Sequence, residues 1–93
     1  MSAVPPYDPD ASGPATYVYA RVADHIAARI VTGELAPGVR LPGERDLAAE
    51  YGVALGTARR AIEDLRDRGL VVTLPAKGTY VAKPEDNVSP IAE

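Results

Sequence analysis

Apolar residues recur at helical spacing in three successive stretches, then gather into two short β-rich runs. Tyr19, Val22, Ala23, Ile26, Ala27 and Ile30 form one stripe at i, i+3, i+4 spacing, which predicts a helix over residues 17–32. Thr16 is placed to cap its start, and Gly33 to stop it in the left-handed conformation. Beyond the Pro37-Gly38 turn, a short extended stretch over 39–41 carries Leu41 into the core, and Pro42 keeps the following approach extended. Leu47 and Ala48 mark the buried side of a second helix over 44–51, which ends at Gly52. Val53 anchors the turn. Ala58, Ala61, Ile62 and Leu65 then set the inner face of a third helix over 55–68, closed by Gly69. Residues 70–74 and 79–82 read as strands, joined through Pro75-Ala76-Lys77-Gly78 as a hairpin.

Two helices meeting at a glycine turn, with Ala48 small enough for a close crossing, make a helix-turn-helix, and the hairpin after it makes a wing. The predicted fold is mainly α with a small β-hairpin: three helices plus a two-stranded wing, a winged helix-turn-helix over 16–83. The first helix should lie across the back of the pair. Two helix starts are weak. Neither Gly43 nor Ala54 offers a side-chain acceptor, so the second helix is expected to fray at its start. The third should lack a cap worth typically ~1 kcal/mol.

Outside this domain the pattern fades. Residues 1–15 are rich in Pro, Ser, Ala and Asp and are expected to be a disordered arm; residues 84–93 are expected to be a flexible acidic tail. At 93 residues there is room for one small core. With no cysteine, and His25 as the lone histidine, no thiolate metal site is available and no metal or cofactor is expected. His25 lies off the apolar stripe and reads as solvated. No membrane span or signal pattern is visible, so a cytoplasmic location is expected. No carboxylate pair, Ser/His/Asp set or phosphate loop stands at useful spacing, so no catalytic residue is assigned and an enzyme is not expected.

Charge changes the picture. The net value is −3, but residues 40–83 hold eight Lys/Arg against six Asp/Glu, whereas the rest holds two against seven. Base therefore gathers near the helix-turn-helix, and its distribution matters more than the total.

The series Leu41-Pro42-x-Glu44-Arg45-x-Leu47-Ala48, Gly52-Val53, Thr57-x-Arg59-x-Ala61, Gly69-Leu70 and Gly78-Thr79-Tyr80-Val81 resembles the DNA-binding domain of the GntR family of bacterial transcriptional regulators. The resemblance runs from near Tyr19 to about Ala82. It implies a sequence-specific DNA-binding regulator, of the repressor type, with its recognition helix in the major groove and its wing on the backbone or minor groove. By the same likeness Arg59 is the base reader, and Arg45 lies along the duplex. Departures fall at Ala54-Leu55-Gly56, where many members carry Ser/Thr-Arg-Thr. Members also usually continue into an effector-binding domain. Only about ten residues follow the wing here, so no effector pocket is expected in this chain.

A helix entering a groove by its N-terminal half offers Leu55, Gly56, Arg59 and Arg60, with Thr57 at the rim. The Arg59 fork suits guanine O6 and N7, and Leu55 suits a thymine methyl. Gly56 lets the helix start approach a phosphate. In the wing, Lys77 would neutralise a phosphate, Gly78 would admit the backbone, and Thr79 would offer a hydroxyl. Bland alternatives stand beside these. Arg59 could pair with Glu63 and Arg60 with Asp64, each worth only ~0.2–0.5 kcal/mol, and the wing could be an ordinary turn. Tyr19, Tyr51 and Tyr80 are expected to face the core. The expected partner is double-stranded operator DNA, palindromic because one helix covers few base pairs, bound by a weak or DNA-assisted homodimer. The competing function is a winged-helix protein–protein interaction module, which the acidic total charge leaves open.

Overall fold

The computed structural model describes residues 4–6 and 17–83. Three helices are followed by a hairpin: α1 (Val18–Val31), α2 (Glu44–Tyr51), α3 (Leu55–Asp67), β1 (Val71–Leu74) and β2 (Gly78–Val81). The architecture is the winged helix-turn-helix that the pattern predicts, with element ends displaced by a residue or so. The α1 stripe packs chiefly on α3, and α2 crosses α3 beside it. Val22, Ala23 and Ile26 meet Leu47, Ala48 and Tyr51, and Ala58, Ala61, Ile62 and Leu65 close the centre. Leu41 from the linker and Val71 and Val81 from the hairpin complete this core. Phe and Trp are absent from the sequence. The helices accordingly approach over alanines, and each fully buried Val, Ile or Leu contributes about 1.5–3 kcal/mol.

Helix ends follow the glycines. At Gly52 the backbone is left-handed (φ 66°, ψ 36°), its N–H bonds Ala49 and the Val53 N–H bonds Ala48. The end of α3 repeats this pairing at Gly69 and Leu70, so each turn satisfies carbonyls the helix leaves orphaned. Starts are as bare as expected. Gly43 and Ala54 hold extended cap geometry with no side-chain hydrogen bond. Even so, α2 forms from Glu44 onward, held by the Leu47 N–H on the Gly43 carbonyl at 2.8 Å. At the start of α1 the capping position is Tyr17, without a side-chain bond. The proposed Thr16 cap lies outside the described residues, as do most of the arm and the acidic tail.

The hairpin is antiparallel, with Val71 opposite Val81 and Leu74 opposite Gly78. Its loop is therefore shorter than predicted, and Ala76 turns it with a positive φ of 65°. A further difference lies on the other edge of β2. Arg40 bridges Tyr80, the Leu41 N–H bonds Thr79 at 2.8 Å and the Val81 N–H bonds Val39 at 2.8 Å. The extended stretch between α1 and α2 thus lies along β2, which has neighbours on both sides.

Candidate nucleic-acid interface

The inner face of α3 is consumed by the core, which leaves its outer face to solvent. Arg59 and Arg60 are both exposed there, and neither pairs with the carboxylate one turn on. Arg59 instead donates Nε to Glu44 Oε1 on the first turn of α2, at 3.2 Å. Its two Nη groups make no hydrogen bond among the described residues. Asp64, the other expected partner, is taken by Arg68 at 2.9 Å. Arg60 lies over the Tyr19 ring, its Cζ 4.3 Å from the centroid. The two adjacent arginines of α3 are thus steered by two different helices.

Around them, Gly56 is exposed with open space where a Cβ would stand, whereas Leu55 and Thr57 are half-buried. Arg45 is exposed on the first turn of α2 and carries no ion pair among the described residues. Lys77 stands exposed at the hairpin turn, its N–H on the Leu74 carbonyl at 3.0 Å. The other wing positions are more committed than the sequence suggested. A Cβ on Gly78 would fall 2.6 Å from Arg40 Nε, so the Arg40 side chain occupies the space that the missing Cβ leaves. The Thr79 hydroxyl lies 3.2 Å from that of Thr73, which also accepts from Arg66 Nη1 at 2.9 Å.

Sequence reasoning missed three contributors: Glu44 as the partner of Arg59, Tyr19 as the platform under Arg60, and Arg40 across Gly78. Tyr19 and Tyr80 are half-exposed, and only Tyr51 is buried as expected. An apolar stripe marks its end residue as core and cannot tell that the ring's outer face meets a cation.

The opposite ends of the helices are arranged differently. Arg29, in the last turn of α1, donates to Glu34 at 2.8 Å, to Glu50 at 3.3 Å and to the Tyr51 hydroxyl at 3.2 Å. Arg68, just past α3, holds Asp24 at 2.7 Å as well as Asp64. His25 is not the solvated residue expected. Its Nδ1 is 2.7 Å from the Tyr51 hydroxyl and its Nε2 is 2.7 Å from the Pro5 carbonyl. Donors and acceptors alternate along this chain when the proton sits on Nε2, with Tyr51 accepting from Arg29 and donating to His25. Burial pushes the Tyr51 hydroxyl above its ordinary value, against the pull of Arg29. Burial also opposes the Arg29 charge, but the bonds with Tyr51 and Glu34 outweigh it and hold the guanidinium above its ordinary value.

Comparison with known proteins bears on both fold and interface. A family described as "Bacterial regulatory proteins, gntR family" matches residues 18–81. The HTH-type transcriptional repressor NagR of Bacillus subtilis is 35% identical over 68 residues, covering 73% of this chain and 28% of that protein. The histidine utilization repressor of Klebsiella aerogenes is 39% identical over 74 residues, covering 80% and 30%. The chain thus spans under a third of the length of these relatives. Among solved structures, the AraR DNA-binding domain in complex with operator ORX1 superposes with a TM-score of 0.68 at 35% identity, over 76% of this chain and 90% of that one. YtrA from Sulfolobus acidocaldarius, described as a GntR-family transcription factor, gives a TM-score of 0.70 at 38% identity over 82% and 63%. Among the described residues no helix is long and apolar enough to cross a membrane.

Proposed function

The chain belongs to the gntR family of bacterial regulatory proteins, and from that premise we propose that it binds operator DNA in the cytoplasm as a transcriptional repressor. The observation that carries this is the outer face of α3, where Arg59 and Arg60 stand exposed and side by side without a partner on their own helix. With the N-terminal half of α3 in the major groove, the Nη edge of Arg59 reads guanine O6 and N7, while Glu44 fixes its Nε. Leu55 and Thr57 flank that contact, and Gly56 gives the duplex room. Arg45 and Lys77 neutralise phosphates on either side. Gly78 and Thr79 bring the wing backbone close to the duplex. AraR, solved on its operator with this same fold, supports the placement. A protein-interaction module has no comparable observation in its favour.

One recognition helix spans too few base pairs for selectivity among the ~10⁶ or more sites of a genome. Two copies on a palindrome supply it, with DNA completing the pairing. The test is selection of binding sites from random duplexes, followed by footprinting and sedimentation of the free and bound protein. A palindromic footprint, occupied by two copies of a protein that sediments as a monomer when free, is the expected result. Retention of protein partners with no salt-sensitive DNA binding would overturn the proposal.

A further inference from the structure

The first turn of α1 lies against the exposed face of α3, and what it holds there is a cation. Arg60 Cζ sits 4.3 Å from the centroid of the Tyr19 ring, and Tyr17 stacks on Tyr19 with centroids 5.9 Å apart and planes 19° off parallel. Tyr17 is 71% exposed and Tyr19 half-buried, so the pair forms a shelf at the protein surface. Tyr17, Tyr19, Gly56, Thr57, Arg59 and Arg60 line one open groove between the start of α1 and the start of α3.

A long arginine on a helix surface ordinarily samples many rotamers, and a nearby carboxylate would neutralise it. For Arg60 the Tyr19 ring favours one placement, and no carboxylate competes for it among the described residues. Asp64, one turn on, is committed to Arg68, and no hydrogen bond or ion pair engages Arg60 among the described residues. The ring attracts the guanidinium through its quadrupole while leaving the positive charge and the donors intact. Such a contact fixes a cation in place without cancelling it, which is what contact with a phosphodiester requires.

We propose that Tyr19 is a positioning residue that holds Arg60, by its ring face, against a backbone phosphate of the bound duplex, making the start of α1 part of the DNA interface. This rests on the DNA-binding role proposed above. One bound phosphate contributes about 0.9 to the slope of log K against log salt, and that slope is a readout indifferent to stability alone.

The experiment titrates a fluorescently labelled duplex of mixed sequence at several salt concentrations with wild type, Arg60→Gln, Tyr19→Leu, Tyr19→Phe and the Tyr19→Leu/Arg60→Gln double variant. Arg60→Gln and Tyr19→Leu should each lower the slope by about 0.9, the double variant should lower it no further, and Tyr19→Phe should retain it. In the free protein, the Arg60 side-chain protons should be displaced upfield by the ring current, a shift that survives Tyr19→Phe. Wild type that ignores the duplex at low salt sinks the DNA-binding role, and this proposal with it. Binding by wild type with an unchanged slope in Tyr19→Leu, or with additive losses in the double variant, overturns the positioning role alone. Should Tyr19→Leu fail to fold, unshifted Arg60 protons in wild type, or a slope unchanged in Arg60→Gln, overturn it just as firmly.

Discussion

The two ends of the helical bundle treat arginine in opposite ways. At the C-terminal ends of α1 and α3, Arg29 and Arg68 are each held by two carboxylates. Around the first half of α3 and the wing, Arg45, Arg60 and Lys77 have no carboxylate partner among the described residues, and Arg59 has one that takes only its Nε. Net charge therefore says little about this domain. Much of its acid is spent fastening helix ends together, where the fields cancel, and the uncancelled base is left on the side that faces the proposed ligand.

The sharpest way to break this contrast is at Arg59. Arg59→Ala should fold normally and lose about 1–3 kcal/mol of discrimination between the best site and a scrambled one, measured by competition binding. Equal preference in wild type and variant would return Arg59 to a structural role.

At the other end the expected losses are in stability. Arg29→Met removes charged hydrogen bonds from a half-buried cluster and should lower stability by about 1–3 kcal/mol while leaving the salt slope of binding untouched; thermal melts and titrations read the two separately. The same cluster sets an alkaline limit. Tyr51 holds its proton more tightly when folded, so its contribution is complete below the ordinary tyrosine value of 10.0 and is lost as pH rises through the higher folded value. Tyr51→Phe should flatten that alkaline fall in melting temperature.

Ala54→Ser tests the bare start of α3. The cap backbone already has the extended geometry (φ −68°, ψ 154°), so a serine hydroxyl should add typically ~1 kcal/mol. For a domain of this size that raises the melting temperature by roughly 4–8 °C. An unchanged melt would mean that the hydroxyl finds water instead.

The smallest effect belongs to Lys77→Ala, which should weaken binding to all sequences alike and reduce the salt slope by about 1. A loss confined to one operator would make Lys77 a base reader and blur the distinction between helix and wing.

Most of the fold was legible because its signals are local. The stripe of α1, the left-handed turns at Gly52 and Gly69 and the bare caps at Gly43 and Ala54 are each set within a few residues. Of the candidate interface, exposure was legible, since Arg59 and Arg60 stand on the outer face of α3 where helical periodicity puts them. Their steering was not. Glu44 and Tyr19 reach Arg59 and Arg60 from other helices, and no spacing along the chain encodes such contacts. His25 shows the same limit, since its partners Tyr51 and Pro5 come from α2 and from far upstream of α1.

Placing β2 between β1 and the 38–41 stretch also ties together parts of the chain far apart in sequence. Arg40 and Tyr80 enclose α2, α3 and β1 between them, so their bridge closes a long loop whose entropy must be met before its hydrogen bonds form. The packing of α1 on α3 closes a loop just as long, since Asp24 and Arg68 lie 44 residues apart. That packing is backed by the buried core, whereas the seam rests on a few hydrogen bonds. The seam between linker and wing should therefore open more readily than the helical core. The Leu41 and Val81 amides, bonded across that seam, should exchange with solvent sooner than those at the centre of α3. A ligand touching both α3 and the hairpin would slow that exchange, linking occupancy of the wing to the lifetime of the seam behind it.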